Sequence, residues 1–331
     1  MTDVTIIGAG VMGLCAARAL LDRGATVTLI DRHGDIGPHA CSWWAGGMLA
    51  PFCEGETAEE PVVRLGQEAA DWWDAQTDAV HRCGTLVVSP ARDHTELARF
   101  ARRTSGHRAV TGTEISTLEP DLGTSFAKGL LFETEAHLAP RRAMADLRQS
   151  LLRDGLKTIQ DDADPQHYAA HGLTLDCRGY SARDALPNLR GVKGEMLILS
   201  CPDVTLNRPV RLLHPRVPIY IVPRGNGIFM LGATMIEGAA GSHVTARALL
   251  ELLSAAYALN PAFGQAEVIE IGVDNRPAFA DNLPRIARDG NLIRLNGLFR
   301  HGFLLAPAMA RMAAELIFDT KTPEVMHENP A

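Results

Sequence analysis

Gly8, Gly10 and Gly13 lie in the run Gly8-Ala9-Gly10-Val11-Met12-Gly13, and an acid, Asp31, stands 18 residues beyond the last of them. These residue types at these spacings suit the binding of a dinucleotide. Gly8 allows a tight turn. Gly10 lets a pyrophosphate approach the backbone at a helix N-terminus, where unpaired N–H groups and a partial positive charge await it. Gly13 permits close packing of helix on strand, and Asp31 can accept from ribose hydroxyls while repelling a 2′-phosphate. FAD or NAD is favoured over NADP. A bare glycine triad is weak evidence, but this one follows an apolar run, DVTII, and precedes another, TVTLID, that ends in the acid. A glycine turn without a ligand explains neither all three glycines nor the acid at that distance.

Other chemistries find little support. The six cysteines are widely spaced with no CxxC pair, so reduced structural thiols are expected rather than a disulfide framework or a zinc site. His167 and His171 could share a helical face, but no HExxH acid accompanies them and no metal is expected. The string Gly179-Tyr180-Ser181-Ala182-Arg183 lacks the second glycine of a nucleophile elbow. The net charge of -7 argues against nucleic-acid or anionic-membrane binding. No apolar stretch reaches the roughly 20 residues of a membrane span. The N-terminus enters a strand with no basic leader, so a cytoplasmic location is expected. Only four of the 32 basic residues are lysine, which reads as codon bias.

The elements that must position these residues follow from periodicity. Residues 3–7, 11–23 and 26–31 read as a βαβ unit whose near-continuous apolar strands suit a parallel sheet covered on both faces. Helices are expected at 61–82, 94–104 and 141–154, with strands at 85–89 and 129–133. Beyond Lys193 the texture changes to short β-rich runs divided by Pro, Gly and Asn, and Gly225-Asn226-Gly227 signals a hairpin. A helix at about 245–259, strands at 267–273 and 291–297, and a helix at about 305–318 with Pro307 near its first turn complete the chain. The expected fold is α/β plus α+β. A discontinuous nucleotide-binding domain, Rossmann-like, carries an inserted β-rich antiparallel domain.

Four stretches together resemble one family: GAGVMG with Asp31, the loop SWWAGGMLAP, YIVPRGNGIFMLGATM at 220–235, and NGLFRHGFLLAP at 296–307. They are similar to the FAD-dependent D-amino-acid oxidase superfamily and, within it, to the glycine oxidases of thiamine (thiazole) biosynthesis. The resemblance spans essentially the whole chain and is weaker at 155–175. It implies FAD and the D-amino-acid oxidase fold, with 1–50, 135–190 and 285–331 as the FAD-binding domain and 51–134 and 191–284 as the substrate-binding domain. It also implies a homo-oligomer.

By the same resemblance, Val11 and Met12 lie at the pyrophosphate and Asp31 and Arg32 at the adenosine. Gly46, Gly47 and Met48 face the isoalloxazine. Leu298, Phe299, Arg300, His301, Gly302, Phe303 and Leu304 wrap the flavin, with the last helix pointing its N-terminus at the ring, where reduced flavin is negative. Substrate carboxylate recognition falls on Arg276 and Tyr220. A guanidinium fork matches a carboxylate and a phenol adds a donor. On residues alone, Arg276 reads as a surface ion pair. Arg300 is placed at the site, its backbone carbonyl able to accept from a substrate amine. Met235 lines the pocket or packs in the core. His301 is a general base or, more simply, a satisfied structural histidine.

Trp43 and Trp44 depart from the family's small residues and either narrow the entrance or pack beneath the loop. Cys177-Arg178-Gly179 also departs, leaving the FAD contacts at 155–180 open. The expected reaction is oxidation of glycine or another small amino acid to its imine, with O2 reduced to H2O2 and the imine supplied for thiazole formation. A D-amino-acid or sarcosine oxidase, a quinone-linked dehydrogenase, and a flavin-binding module without catalysis are the alternatives.

Overall fold

The computed structural model describes residues 2–214, 216–238 and 243–327. Two large sheets organise them. The first has seven strands in the order Met326–His327, Arg285–Asp289, Leu292–Asn296, Leu173–Asp176, Asp3–Ile7, Thr26–Asp31 and Lys157–Gln160. Its central strands run parallel. Val4, Ile6, Val27 and Leu29 are buried with the helices Val11–Leu21, Pro140–Arg153 and Gly302–Phe318 in one apolar cluster. Burial of strands against helices this apolar is the main driving force for this half of the molecule.

The second sheet has nine strands. Its order is Ile236–Glu237, Arg190–Ser200, Ile228–Gly232, Ile219–Pro223, Val210–Leu212, Thr85–Val88, Lys128–Phe132 and Arg108–Thr111, with Glu267–Ala278 also paired to Arg190–Ser200. Helix Ala246–Leu259 packs Leu252, Ala256 and Leu259 against Leu197, Phe229 and Leu231. Its N-cap Thr245 accepts from the N–H of Ala248 at 3.1 Å. The 225–227 tripeptide makes the expected hairpin, with all three residues at positive φ, including Asn226 at 51°. Asparagine tolerates that conformation better than most side chains. The chain passes from the first sheet to the second and back twice. No helix among the described residues is long and apolar enough to cross a membrane.

Three local expectations change. The helix expected at 61–82 is two short helices, Glu60–Gly66 and Ala69–Asp74, followed by a strand at Val80–His81. A Cβ on Gly66 would sit 2.7 Å from the Leu304 side chain, so the first helix is pressed against the last one. The strand expected at 267–273 runs on to Ala278 and so carries Arg276. The final helix begins at Gly302 rather than about 305, which puts Pro307 inside it.

An interior proline removes the N–H that would bond the carbonyl four residues back, here that of Phe303. That carbonyl accepts instead from the indole N–H of Trp73 at 2.8 Å, in a fully buried setting. A side chain on the second short helix thus supplies the backbone donor that Pro307 removes from the last one. Replacing Trp73 by Phe is expected to cost about 1–3 kcal/mol for the unpaired buried carbonyl. The cost should shrink when Pro307 is also changed to Ala, because the restored N–H can take that carbonyl. Urea unfolding of the four proteins of this cycle checks it.

Candidate active site

The glycine turn sits at the C-terminal edge of the first sheet, the usual place for ligands in open α/β sheets. Gly8 has φ +106°, and a Cβ there would lie 2.6 Å from the carbonyl oxygen of Cys177. A Cβ on Gly13 would lie 1.9 Å from the oxygen of Gly8. Gly13 therefore shapes the turn by packing; it does not line the cavity beside it. Gly10 caps helix Val11–Leu21, which has no acid in its first turn. The Val11 N–H donates to the Ser42 hydroxyl at 3.1 Å. Asp31 accepts from the N–H groups of Ala9 and His33 at 2.9 and 2.8 Å, which ties the acid to the glycine turn and leaves each oxygen a second lone pair.

From this turn a cavity of about 420 Å³ extends between the two sheets. Gly8, Gly10, Val11, Met12, Asp31 and Arg32 line one end. Gly46, Gly47, Met48, Tyr220 and Arg276 line it further on, and so does Leu298 to Leu304. Met235 does not. Its side chain is 57% exposed at the end of the strand-and-loop run, so it is neither pocket wall nor core. Cys177, Arg178 and Gly179, whose contacts were open, also reach the cavity. Trp44 packs across Gly272, where a Cβ would be 2.2 Å from the ring, and Arg141 stacks over both Trp43 and Trp44 while bonding Glu270 twice at 2.8 Å. The two tryptophans thus bind the loop to strand Glu267–Ala278, and Trp44 forms part of the cavity wall.

Glycines set the middle of the cavity. Gly47 is at φ +70°, with Leu138 O 2.3 Å from where its Cβ would be, and a Cβ on Gly46 or Gly232 would strike the Tyr220 ring at 2.8 or 2.7 Å. The phenol is held between two backbone surfaces. Arg224, which no motif singled out for a role, donates to the carbonyls of Gly46 and Leu138 at 2.7 and 3.0 Å. Burial without an anion pushes its guanidinium down to about 10.

At the far end, Phe299 adopts φ 50° and donates its N–H to Pro277 at 2.8 Å, which turns the 298–301 segment toward the cavity. The final helix then starts there with no side-chain cap and no acid in its first turn. Two helix N-termini therefore face one cavity, a setting suited to a phosphate at one end and to negative charge on a ring at the other.

Sequence reading missed Glu54 altogether. This buried carboxylate accepts from Arg300 Nε at 2.7 Å, from His301 Nε2 at 2.9 Å and from Arg211. Burial works to raise its pKa, but Arg300 and Arg211, with His301, outweigh that and hold it well below the usual carboxylate range. Burial keeps His301 low despite the adjacent anion. The short stretch PFCEGE carries no pattern that would reveal this role.

The arginines lining the cavity divide sharply. Arg32 pairs with Asp162 at 3.0 Å, Arg178 with Asp176 and Asp184, and Arg300 with Glu54. Arg183 is exposed and stacks on Tyr180. Arg276 is half-buried, and its one bond among the described residues goes from Nη1 to the Thr234 carbonyl at 3.1 Å. Its guanidinium lies over Gly194, where a Cβ would be 2.2 Å from Nη2. A half-buried cation without a carboxylate partner, facing a cavity that a phenol also lines, is poised to take an anion.

Comparison with known proteins bears on what fills this cavity. A family model described as "FAD dependent oxidoreductase" matches residues 3–316. The Rhizobium etli protein named "Putative thiamine biosynthesis oxidoreductase ThiO" is 51% identical over 97% of this chain and 98% of its own. Glycine oxidase of Pseudomonas aeruginosa is 27% identical over 95% of this chain and 94% of its own. The crystal structure of glycine oxidase from Geobacillus kaustophilus superimposes with a TM-score of 0.80 at 20% identity, over 98% of this chain and 97% of that one.

Replacing Glu54 by Gln keeps the shape and removes the anion from between two arginines, and is expected to cost about 3–5 kcal/mol at pH 7. Because the folded-state pKa of Glu54 is depressed, its contribution is complete above the unfolded value of about 4.3 and is lost as pH falls through the folded one. The gap between wild type and variant in urea unfolding should therefore narrow below about pH 4.3.

Proposed function

This chain belongs to the FAD-dependent oxidoreductase family, and from that premise we propose that it oxidises a small amino acid, glycine, to its imine. The observation that carries this reading is the guanidinium of Arg276, bonded to no carboxylate among the described residues, in the same cavity as the Tyr220 phenol and the glycine turn. The cavity residues fit FAD. The Gly8–Gly10 turn and the open N-terminus of helix Val11–Leu21 would take its pyrophosphate, Asp31 and Arg32 its adenosine, and Gly46 to Met48 with Leu298 to Leu304 its ring. In this reading 1–50, 135–190 and 285–331 hold FAD, while 51–134 and 191–284 shape the substrate side.

The chemistry that FAD supplies when bound is two-electron acceptance from a C–H bond and return of those electrons to O2, which yields H2O2. The protein's share is binding and orientation. Arg276 and Tyr220 hold the substrate carboxylate by charge-assisted hydrogen bonds, with Tyr220 fixed between Gly46 and Gly232. Thr234 O fixes the guanidinium. Holding a reactant at the correct distance and angle can contribute roughly 7–11 kcal/mol toward the barrier. The names of the R. etli and P. aeruginosa relatives support glycine as the substrate and thiamine biosynthesis as the use of the imine.

Anaerobic addition of glycine should bleach the oxidised flavin band, and sarcosine, D-alanine and D-proline added in parallel should bleach it more slowly. No bleaching by any of the four would overturn the reading. Arg276→Ala should keep the yellow flavin spectrum and lower kcat/KM for glycine by about 10²- to 10³-fold, the cost of losing one partner of a desolvated charge pair. Steady-state oxygen uptake measures this.

A further inference from the structure

An α-amino acid presents an ammonium as well as a carboxylate, and the second charge needs its own recognition. Asp274 lies two residues before Arg276 on strand Glu267–Ala278, so the two side chains leave the strand on the same face, with Cα atoms about 6.6 Å apart. Strand register sets Gly194 opposite Asp274, and it is over Gly194 that the Arg276 guanidinium lies. The cation has swung along the sheet to the level of Asp274. Even so, the two do not pair with each other among the described residues.

Asp274 Oδ1 accepts from the Asn275 N–H at 2.7 Å. Among the described residues its other oxygen has no donor. Neither does Asn275 Oδ1, a buried acceptor on a residue that lines the same cavity. On the face that Asp274 shares with Arg276, an acceptor without a donor therefore stands near a guanidinium that bonds no carboxylate. That arrangement complements a zwitterion.

We propose that Asp274 binds the ammonium of the amino-acid substrate while Arg276 holds its carboxylate, and that Asp274 takes one ammonium proton. The proposal rests on the reading of Arg276 given above. In the step, one N–H bond of the ammonium breaks, its electron pair stays on nitrogen, and an O–H bond forms on Asp274. The proton then leaves to water at the mouth of the cavity. Nothing is oxidised in this step; it delivers the neutral amine that can release electrons.

The surroundings suit the task. Burial raises the Asp274 carboxyl, the Asn275 N–H and Arg276 partly offset that, and the result is about 6. Desolvation has the opposite sign for an ammonium, so binding brings the two partners' proton affinities together. Of the groups on the elements packed around it, Cys41 from the segment Cys41–Trp44 is pushed up to about 12 by burial and stays a neutral thiol. Lys193 and Glu195 on strand Arg190–Ser200 pair with each other at 3.1 Å. On the segment Gly179–Asp184, Asp184 is held by Arg178 and Arg183 is exposed. Arg276 is left as the charge that Asp274 feels most directly.

Asp274→Asn preserves the shape and an acceptor for the Asn275 N–H. The FAD-loaded variant should lose about 10²-fold in kcat/KM for glycine, the size of a general-base contribution. The wild type is expected to show an acidic limb near 6 in its pH profile, and the variant to lack it. Its affinity for glycolate, which keeps the carboxylate but has a hydroxyl for the ammonium, should be little changed when read from the flavin absorption. Wild-type kcat/KM with an intact limb in the variant would overturn the role of Asp274 alone, as would equal loss of glycolate and glycine binding, which marks a structural defect. A wild-type protein that is neither bleached by a small amino acid nor perturbed by glycolate would overturn the reading of Arg276, and this proposal with it.

Discussion

The constraint on which the rest of this structure depends is that a desolvated cation must find an anion. The cavity between the two sheets is lined by arginines, and most have their anion built in. Glu54 is the most costly of these provisions, since a carboxylate is buried to serve Arg211 from the second sheet and Arg300 from the turn before the last helix. That single anion joins the two halves of the molecule at the cavity wall. Arg276 is treated differently. It is fixed by a carbonyl and given room by Gly194, but it bonds no carboxylate among the described residues. Arg32, Arg178 and Arg300 are held by acids of the chain, whereas Asp274, on the same strand face as Arg276, does not bond it.

Shape follows from the absence of side chains at a few points. Gly8 and Gly13 bring the turn against the neighbouring strand and against itself, and Gly46 and Gly232 hold the Tyr220 ring between two backbones. Arg224 then ties the 46–47 loop to Leu138 by donating to one carbonyl of each. The ring of Tyr220 and the guanidinium of Arg276 gain their precision from backbone surfaces, which move less than side chains do. The helix N-termini add positive potential at both ends without adding a titratable group.

What was legible in the sequence was local. The glycine triad with Asp31, the Gly225-Asn226-Gly227 hairpin and the apolar strands around them each follow from a short pattern with one physical cause. What was not legible depended on distant partners. Glu54 shows its importance only when Arg211 of strand Val210–Leu212 and Arg300 of the turn before the last helix meet it. The 61–82 periodicity conceals a break between two short helices, the first pressed on Leu304 at Gly66 and the second carrying Trp73 to the Phe303 carbonyl of another helix. Met235 lies just past strand Ile228–Gly232, in the stretch leading to Ile236–Glu237, and faces solvent. Asp274 was passed over because a lone aspartate in VDNRPAF has no meaning until alternation on an extended strand sets it beside Arg276.

The most direct measurement is a crystal structure of the FAD-loaded protein with glycolate. The glycolate carboxylate is expected within about 2.7–3.0 Å of the Arg276 guanidinium and the Tyr220 hydroxyl, the range for charge-assisted bonds. Glycolate bound elsewhere, with Arg276 still touching only the Thr234 carbonyl, would contradict the assignment of the unpaired cation as the substrate anchor.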